Sequence, residues 1–223
     1  MEYRDITFEE IKNCEEVNVY IRQADATMRA LGFTEHSFAH VTKAAEKSSE
    51  LLEQLGYGKR ECELARIAGY MHDIGNTINR AEHAQSGAVM AFAILGRLGM
   101  DPKDVAVIIS AIGNHDEHSA TPVNAVAAAL ILADKTDVRR SRVRNQDTIT
   151  FDIHDRVNYA VEHSDVRLDR AAKSLTLVLE INSGICAVMD YFEIFLDRML
   201  LCRKAAEFLG LQFKLDINGL QLL

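Results

Sequence analysis

Four residues of the 223-residue chain have side chains suited to binding a divalent metal, although they lie far apart in the sequence. They are His40, the adjacent pair His72 and Asp73, and Asp134. Each lies on or beside a stretch of apolar residues, where an ionised carboxylate is unfavourable unless a cation accompanies it. Two imidazoles and two carboxylates together would neutralise a divalent cation and supply ligands that it prefers. Taken singly, each also fits a structural role, as a hydrogen-bonded core histidine or an aspartate near a helix end.

The elements that must position these residues are predicted to be helices. Apolar and small side chains recur at i, i+3, i+4 and i+7 over residues 39–55, and the pattern repeats over 61–73 and 82–98. Asp101-Pro102 and Thr121-Pro122 each predict a helix start, since the first residue can cap and proline suits the first turn. The second of these helices is predicted to end near Val138. Because the four residues lie in three separate helices, a helical bundle is needed to bring them together.

The C-terminal part has a different pattern. β-branched residues and partial alternation predict strands at residues 166–168 and at Ser174–Ile181, and strict alternation predicts another at 211–217. A long helix is predicted between them, over residues 185–209. The expected fold is therefore mainly α, with a helical domain over residues 1–150 and a small α+β extension over 151–223. With no linker visible between the two parts, we expect the extension to pack on the helical domain.

The spacing H…HD…D resembles the HD-domain superfamily of metal-dependent phosphohydrolases. The residues stand in the contexts HSFAHVTKAAE, ARIAGYMHDIGN and AALILADKTD, and the resemblance covers about residues 35–140. It implies an HD-type helical bundle in which His40, His72, Asp73 and Asp134 hold a metal ion. It further implies that this ion activates water to cleave a phosphate ester or anhydride, and nucleotides are the usual substrate class of the superfamily.

A second group of histidines is similar to the pattern of the two-metal subfamilies. His83 stands in EHAQSGA, which resembles their HxxxGA element, and His115 stands where they have paired histidines. The resemblance implies that His83 and His115 bind a second ion and act with Asp73 in catalysis, Asp73 bridging both ions. The sixth ligand stays open between Asp116 and His118. Mn, Fe or Mg is expected at one or two sites, because the donor set lacks thiolate.

Basic residues follow the last aspartate and are candidates for binding the substrate phosphate. Lys135, Arg139 and Arg140 could supply that contact, since arginine presents a fork suited to phosphate oxygens. A solvated helix end, where cations are favoured, explains them equally well, and it is the preferred explanation for Arg142 and Arg144. Asn76 and Arg80, just beyond the HD pair, are further candidates to face the site.

Composition restricts the partners and the location. A formal charge of −8 argues against binding nucleic acid through many phosphates, and the apolar stretch over residues 123–133 is too short to span a membrane. The acidic N-terminal sequence lacks the apolar core of a signal peptide, which predicts a cytoplasmic protein. The extension could shape a substrate cleft or form a homodimer surface. The alternative function is a non-catalytic, nucleotide-sensing module that retains the helical fold.

The sequence also lacks the characteristic motifs of several other enzyme classes. It contains no nucleophile elbow, dinucleotide-binding turn or phosphate-binding loop motif. The GYP signature of cyclic dinucleotide phosphodiesterases is missing, since HSATP follows Glu117, and no Glu-Asp pair of the alarmone hydrolase type follows the HD element. The expected substrate is therefore a small phosphorylated compound of the nucleotide class, whose identity the sequence leaves open.

Overall fold

The structure, a computed structural model, describes residues 3–117, 120–144 and 153–222. The chain divides into two compact units, Met1–Asp134 and Lys135–Leu223. The predicted domain boundary between residues 150 and 151 lies outside the described residues, as does His118. Within the described ranges, no helix combines the length and the apolar character that crossing a membrane requires.

The first unit is helical. Its elements are α1 (Phe8–Lys12), α2 (Glu15–Ala30), α3 (Phe38–Gln54), α4 (Lys59–Met71), a 3-10 turn (Ile74–Thr77), α5 (His83–Arg97), α6 (Pro102–Gly113) and α7 (Ala125–Lys135), which extends one residue into the second unit. Helix α3 packs on α4, α5 packs on α6, and the 3-10 turn lies against α2 and α5. The core between them consists mainly of alanine, isoleucine, leucine, valine and methionine side chains, with Phe8 and Tyr70.

Local capping explains where several of these helices begin. The side chain of Ser37 accepts a hydrogen bond from Ala39 N at the start of α3. Asp101 accepts one from Lys103 N at the start of α6, with Pro102 in the first turn, as the sequence predicted.

The predicted start of α7 at Thr121-Pro122 is wrong. Residues 121–124 are not helical, and α7 begins at Ala125. The side chain of Asn124 accepts a hydrogen bond from Ala127 N at 2.8 Å, and its carbonyl accepts one from Ala128 N at 3.0 Å. Asn124 is therefore the capping residue, because asparagine satisfies a free amide of the first turn at least as well as threonine does. The helix ends at Lys135 rather than near Val138.

The second unit is an α+β structure. It contains α8 (Ile153–Ala160), β1 (Val161–Asp169), β2 (Ser174–Ile181), α9 (Val188–Phe208), β3 (Gln212–Ile217) and β4 (Leu220–Gln221). The strands form one sheet in the order β1-β2-β3-β4, in which β2 and β3 are parallel and the outer pairs are antiparallel. Helix α9 makes the crossover between the parallel strands and packs on them. The predicted fold class, mainly α with a C-terminal α+β extension, is confirmed.

Candidate metal centre

Six of the predicted side chains converge in the first unit. His40 lies on α3, His72 and Asp73 follow the last residue of α4, His83 begins α5, His115 follows α6, and Asp134 lies near the end of α7. All six are buried. Five separate segments of the chain thus contribute buried polar side chains to one cluster.

Four of these residues form a first group of donor atoms. His40 Nε2 lies 3.2 Å from Asp134 Oδ1 and 3.6 Å from Asp73 Oδ2. His72 Nε2 lies 3.3 Å from Asp73 Oδ2 and 3.7 Å from Asp134 Oδ1. Ligand atoms about 2.1 Å from a common ion lie roughly 3.0–3.4 Å apart, so these separations are close to those around one bound cation.

The second group forms around the other oxygen of Asp73. His83 Nε2 lies 3.5 Å and His115 Nε2 lies 4.0 Å from Asp73 Oδ1. The two Nε2 atoms of His83 and His115 are 3.1 Å apart. Asp73 therefore presents Oδ2 to the first group and Oδ1 to the second, and its bridging of two ions stays a prediction.

Backbone carbonyls orient three of the imidazoles. Nδ1 of His72 lies 2.8 Å from Gly69 O, Nδ1 of His83 lies 3.1 Å from Arg80 O, and Nδ1 of His115 lies 2.6 Å from Ile112 O. Because a carbonyl only accepts, each Nδ1 carries the hydrogen, and the neutral ring has its lone pair on Nε2. All three Nε2 atoms lie within 4.0 Å of an Asp73 oxygen, which suits a cation between them.

The charges at the site also favour a cation. Burial disfavours ionised Asp73, but His72, His36 and His83 outweigh this effect and hold the pKa of Asp73 well below its usual value. Burial lowers the pKa of His72, but the Asp73 and Asp134 carboxylates outweigh it and raise that pKa overall. Among the described residues, His72 Nε2 and Asp73 Oδ2 are buried side-chain atoms that have no hydrogen-bond partner. Buried polar atoms without a hydrogen bond are unfavourable, and a metal ion would satisfy both.

A close contact between α3 and α4 sets the distance between His40 and His72. A Cβ atom added to Gly69 would lie 2.6 Å from Cα of Ala45, so only glycine permits this approach of the two helices. The buried hydroxyl of Ser48 on α3 also donates to Ala65 O of α4 at 3.0 Å. As a result, the rings of His40 and His72 have centroids only 5.2 Å apart.

Comparison with known proteins identifies the family. The model of the HD domain matches residues 37–193, which is more than half of the chain and includes all six clustered residues. The chain belongs to the HD domain family. The resemblance that the sequence motifs indicated is therefore confirmed.

A crystal structure of a predicted HD superfamily hydrolase from an uncultured Thermotogales bacterium is similar to this HD domain protein. The similarity covers 59% of this chain and 73% of that chain, at 25% sequence identity and a TM-score of 0.45. No curated protein matches the sequence. Family membership and the clustered donors indicate a metal-dependent hydrolase in the general sense.

Three residues near the HD pair have contacts that bear on their predicted roles. Asn76 is buried, and its amide nitrogen donates to Asp73 Oδ1 at 2.9 Å, so it orients the Asp73 carboxylate. Asp116 Oδ1 lies 3.9 Å from Arg80 Nη2, and the groups of three close donors found among the described residues include neither Asp116 nor His83. Substrate contact by Asn76 and metal binding by Asp116 stay predictions.

The predicted phosphate-binding cations lie in the second unit of the HD domain protein. Lys135 is buried at the end of α7. Arg139 Nε donates to Asp137 Oδ1 at 3.0 Å, and the Arg140 guanidinium lies over the ring of Tyr159 at 4.6 Å. Both arginines thus have contacts within this unit, and their role in binding phosphate stays a prediction.

The sequence reasoning missed one histidine beside the site. His36 is 9% exposed, and its ring centroid lies 5.7 Å from that of His40. A backbone hydrogen bond to Asp25 Oδ1 and the contact of its Nδ1 with Thr34 O, 2.7 Å away, hold it there. The signal that the sequence offered was the spacing of four residues between His36 and His40. This spacing is informative only when the residue at which α3 begins is known.

Proposed function

We propose that this HD domain protein is a metal-dependent phosphohydrolase that cleaves a phosphate ester or anhydride of a nucleotide. The observation that carries the proposal is the position of Asp73, which offers one carboxylate oxygen to each of two groups of buried donors. Three histidines in these groups have Nε2 lone pairs oriented by backbone carbonyls. Membership in the HD domain family supports the same class of reaction.

The residues present fit a divalent ion by both charge and donor type. His40, His72, Asp73 and Asp134 would hold one ion, and His83, His115 and Asp73 a second, with Asp116 as a further ligand. Mn²⁺, Fe or Mg²⁺ suits this mixture of imidazole and carboxylate. When bound, such ions lower the pKa of water and stabilise charge on phosphoryl oxygens. Asp73, His83 and His115 are the proposed catalytic residues, since they surround the position where both groups meet.

The residues proposed to bind the substrate have cationic or amide side chains. Lys135, Arg139, Arg140 and Asn76 are the candidates to contact the phosphate, because their side chains donate hydrogen bonds to anionic oxygens. A nucleotide substrate follows from the resemblance to the phosphohydrolases. The cytoplasmic location and the homodimer stay predictions.

The test is phosphate release by the purified chain after loading with Mn²⁺, Fe²⁺ or Mg²⁺. Nucleoside mono-, di- and triphosphates and cyclic dinucleotides would be assayed side by side, with the metal content measured in the same samples. We expect Asp73→Asn to lower turnover by roughly a hundredfold or more, because the variant loses a ligand shared by both groups. Asp5→Asn is the matched control, since the Asp5 side chain is 84% exposed.

Two outcomes would contradict the proposal. If Asp73→Asn keeps the wild-type metal content and turnover, the six clustered residues are not the active centre. If the loaded wild-type protein binds a nucleotide, with a rise in melting temperature, but releases no phosphate from any compound, the protein is a sensing module rather than an enzyme.

A further inference from the structure

Arg80 stands beside the second group of donors. It belongs to the segment between the 3-10 turn and α5, and its Nη1 atom lies 3.2 Å from His83 Nε2. The carbonyl of the same residue accepts the hydrogen of His83 Nδ1. Arg80 therefore orients the His83 ring through its backbone, while Nη1 of its guanidinium lies within 3.5 Å of both ring nitrogens and slightly closer to Nε2.

The neighbours of the guanidinium hold it in place without enclosing it. Asp116 Oδ1 lies 3.9 Å from Nη2, and the Phe33 ring centre lies 5.9 Å from the central carbon of the guanidinium. The Arg80 side chain is still 26% exposed, whereas His83 and His115 are almost fully buried. A molecule that reaches the second group of donors from solvent can therefore contact Arg80.

The charge of Arg80 is unfavourable next to a loaded metal site. A permanent cation beside residues that bind a divalent cation repels that ion, and burial strengthens the repulsion. An anion placed between the two positive groups reverses the sign of the interaction. The planar guanidinium, with several N–H donors, matches the oxygens of a phosphoryl group in particular.

We propose that Arg80 is a substrate-binding residue that holds a phosphoryl group of the substrate against the metal centre formed by His83, His115 and Asp73. The proposal rests on the function proposed above and adds a residue to it. It predicts that the loss of the Arg80 charge affects phosphate binding and metal binding differently. Phosphate binding weakens, whereas metal binding stays the same or becomes tighter.

The experiment compares Arg80→Gln and Arg80→Lys with wild type by calorimetry. Binding of Mn²⁺ to the metal-free protein is measured first, and binding of inorganic phosphate to the Mn²⁺-loaded protein second. We expect Arg80→Gln to weaken phosphate binding by about tenfold to a hundredfold, because a charge-assisted hydrogen bond is lost. Mn²⁺ should bind at least as tightly as in wild type, and Arg80→Lys should give an intermediate phosphate affinity. Arg29→Gln, an exposed position on α2, is the control and should match wild type.

Three results would overturn the proposal: wild-type phosphate affinity in Arg80→Gln, parallel loss of Mn²⁺ and phosphate binding in that variant, or no phosphate binding by loaded wild type. The second result would show that Arg80 only positions His83. Failure of the proposed function is distinguishable, because it would appear as absent turnover in wild type while the phosphate affinities of the variants still differ.

Discussion

The three histidines with oriented rings share one local arrangement at the residue scale. In each, Nδ1 donates to the carbonyl three residues earlier in the chain. For His72 and His115 that carbonyl belongs to the last turn of α4 or α6, where carbonyls have no partner within the helix. The end of the helix therefore selects the tautomer, and the ring is oriented for metal binding before any ion arrives.

The opposite pKa shifts of Asp73 and His72 predict a pH dependence. The lowered pKa of Asp73 stabilises the metal-free fold above the usual carboxylate range, and this contribution is lost as pH falls towards that lowered pKa. The raised pKa of His72 stabilises the fold at pH below 6.5, and this contribution is lost as pH rises through the raised value. Metal binding needs the neutral imidazole, so its affinity increases over the same rise.

We therefore expect the stabilisation by Mn²⁺ to grow from about pH 6 to about pH 8. The measurement is the difference in melting temperature between Mn²⁺-loaded and chelated protein across this range. Asp73→Asn removes the larger of the two carboxylate effects that raise the pKa of His72, and it removes a ligand, so the difference should be small and nearly constant in that variant. A wild-type difference that stays constant or shrinks with pH would contradict the assignment of these residues as ligands.

At the scale of helices and turns, close backbone contacts at two glycines position the site. Gly69 allows α3 and α4 to approach, which brings His40 to His72. Gly75 has the same function between the 3-10 turn and α5, because an added Cβ would lie 2.0 Å from His83 O and 2.5 Å from Gly87 N. Neither backbone atom can move without displacing α5, and this helix carries His83.

Gly75→Ala is therefore expected to lower the free energy of unfolding by about 1–3 kcal/mol and to weaken the second metal site more than the first. Urea unfolding and the Mn²⁺ stoichiometry would be measured on the same preparation. Gly96→Ala, in an exposed part of α5 with no atom within 4 Å of the added Cβ, is the control. It should stay within about 1 kcal/mol of wild type, because alanine is favoured over glycine in a helix. Equal effects of the two substitutions would show that the contact at Gly75 is unimportant.

At the scale of the whole molecule, the site joins parts of the first unit that are distant in the sequence. Its six clustered residues come from positions 40 to 134, and two carboxylates and four imidazoles are buried together. A bound ion would link these five segments, and it would bind only the folded chain. Metal binding should therefore contribute to the stability of the entire unit.

Removing the metal with a chelator should lower the melting temperature by about 5–10 °C for metal present at a hundredfold excess over its dissociation constant. Differential scanning calorimetry before chelation, after chelation and after addition of Mn²⁺ would measure this effect. Adding the ion back should restore the original transition. An unchanged transition in a sample that demonstrably lost its metal would contradict a site built from these five segments.

Several features could be predicted from the sequence because they depend on local patterns. Apolar periodicity located α3, α4, α5 and α9 to within a few residues, and alternation located β2 at its observed limits, Ser174–Ile181. The start of α7 was wrong, because Thr121-Pro122 and Asn124 are both acceptable caps and only the packing of the helix selects between them. The helices α1, α2 and α8 and the strand β4 were not predicted.

The residue types and motif contexts by themselves determined the candidates for the metal site, which are the six clustered side chains and either Asp116 or His118, because ligand chemistry is a property of the residues. Only the tertiary structure determined how these side chains are divided between the two groups of donor atoms. It placed one oxygen of Asp73 in each group, gave Asn76 the role of orienting that carboxylate, and brought His36 and Arg80 beside the ligands. These relations depend on helix contacts within a few ångströms, such as those at Gly69 and Gly75, and sequence spacing carries no information on distances between helices.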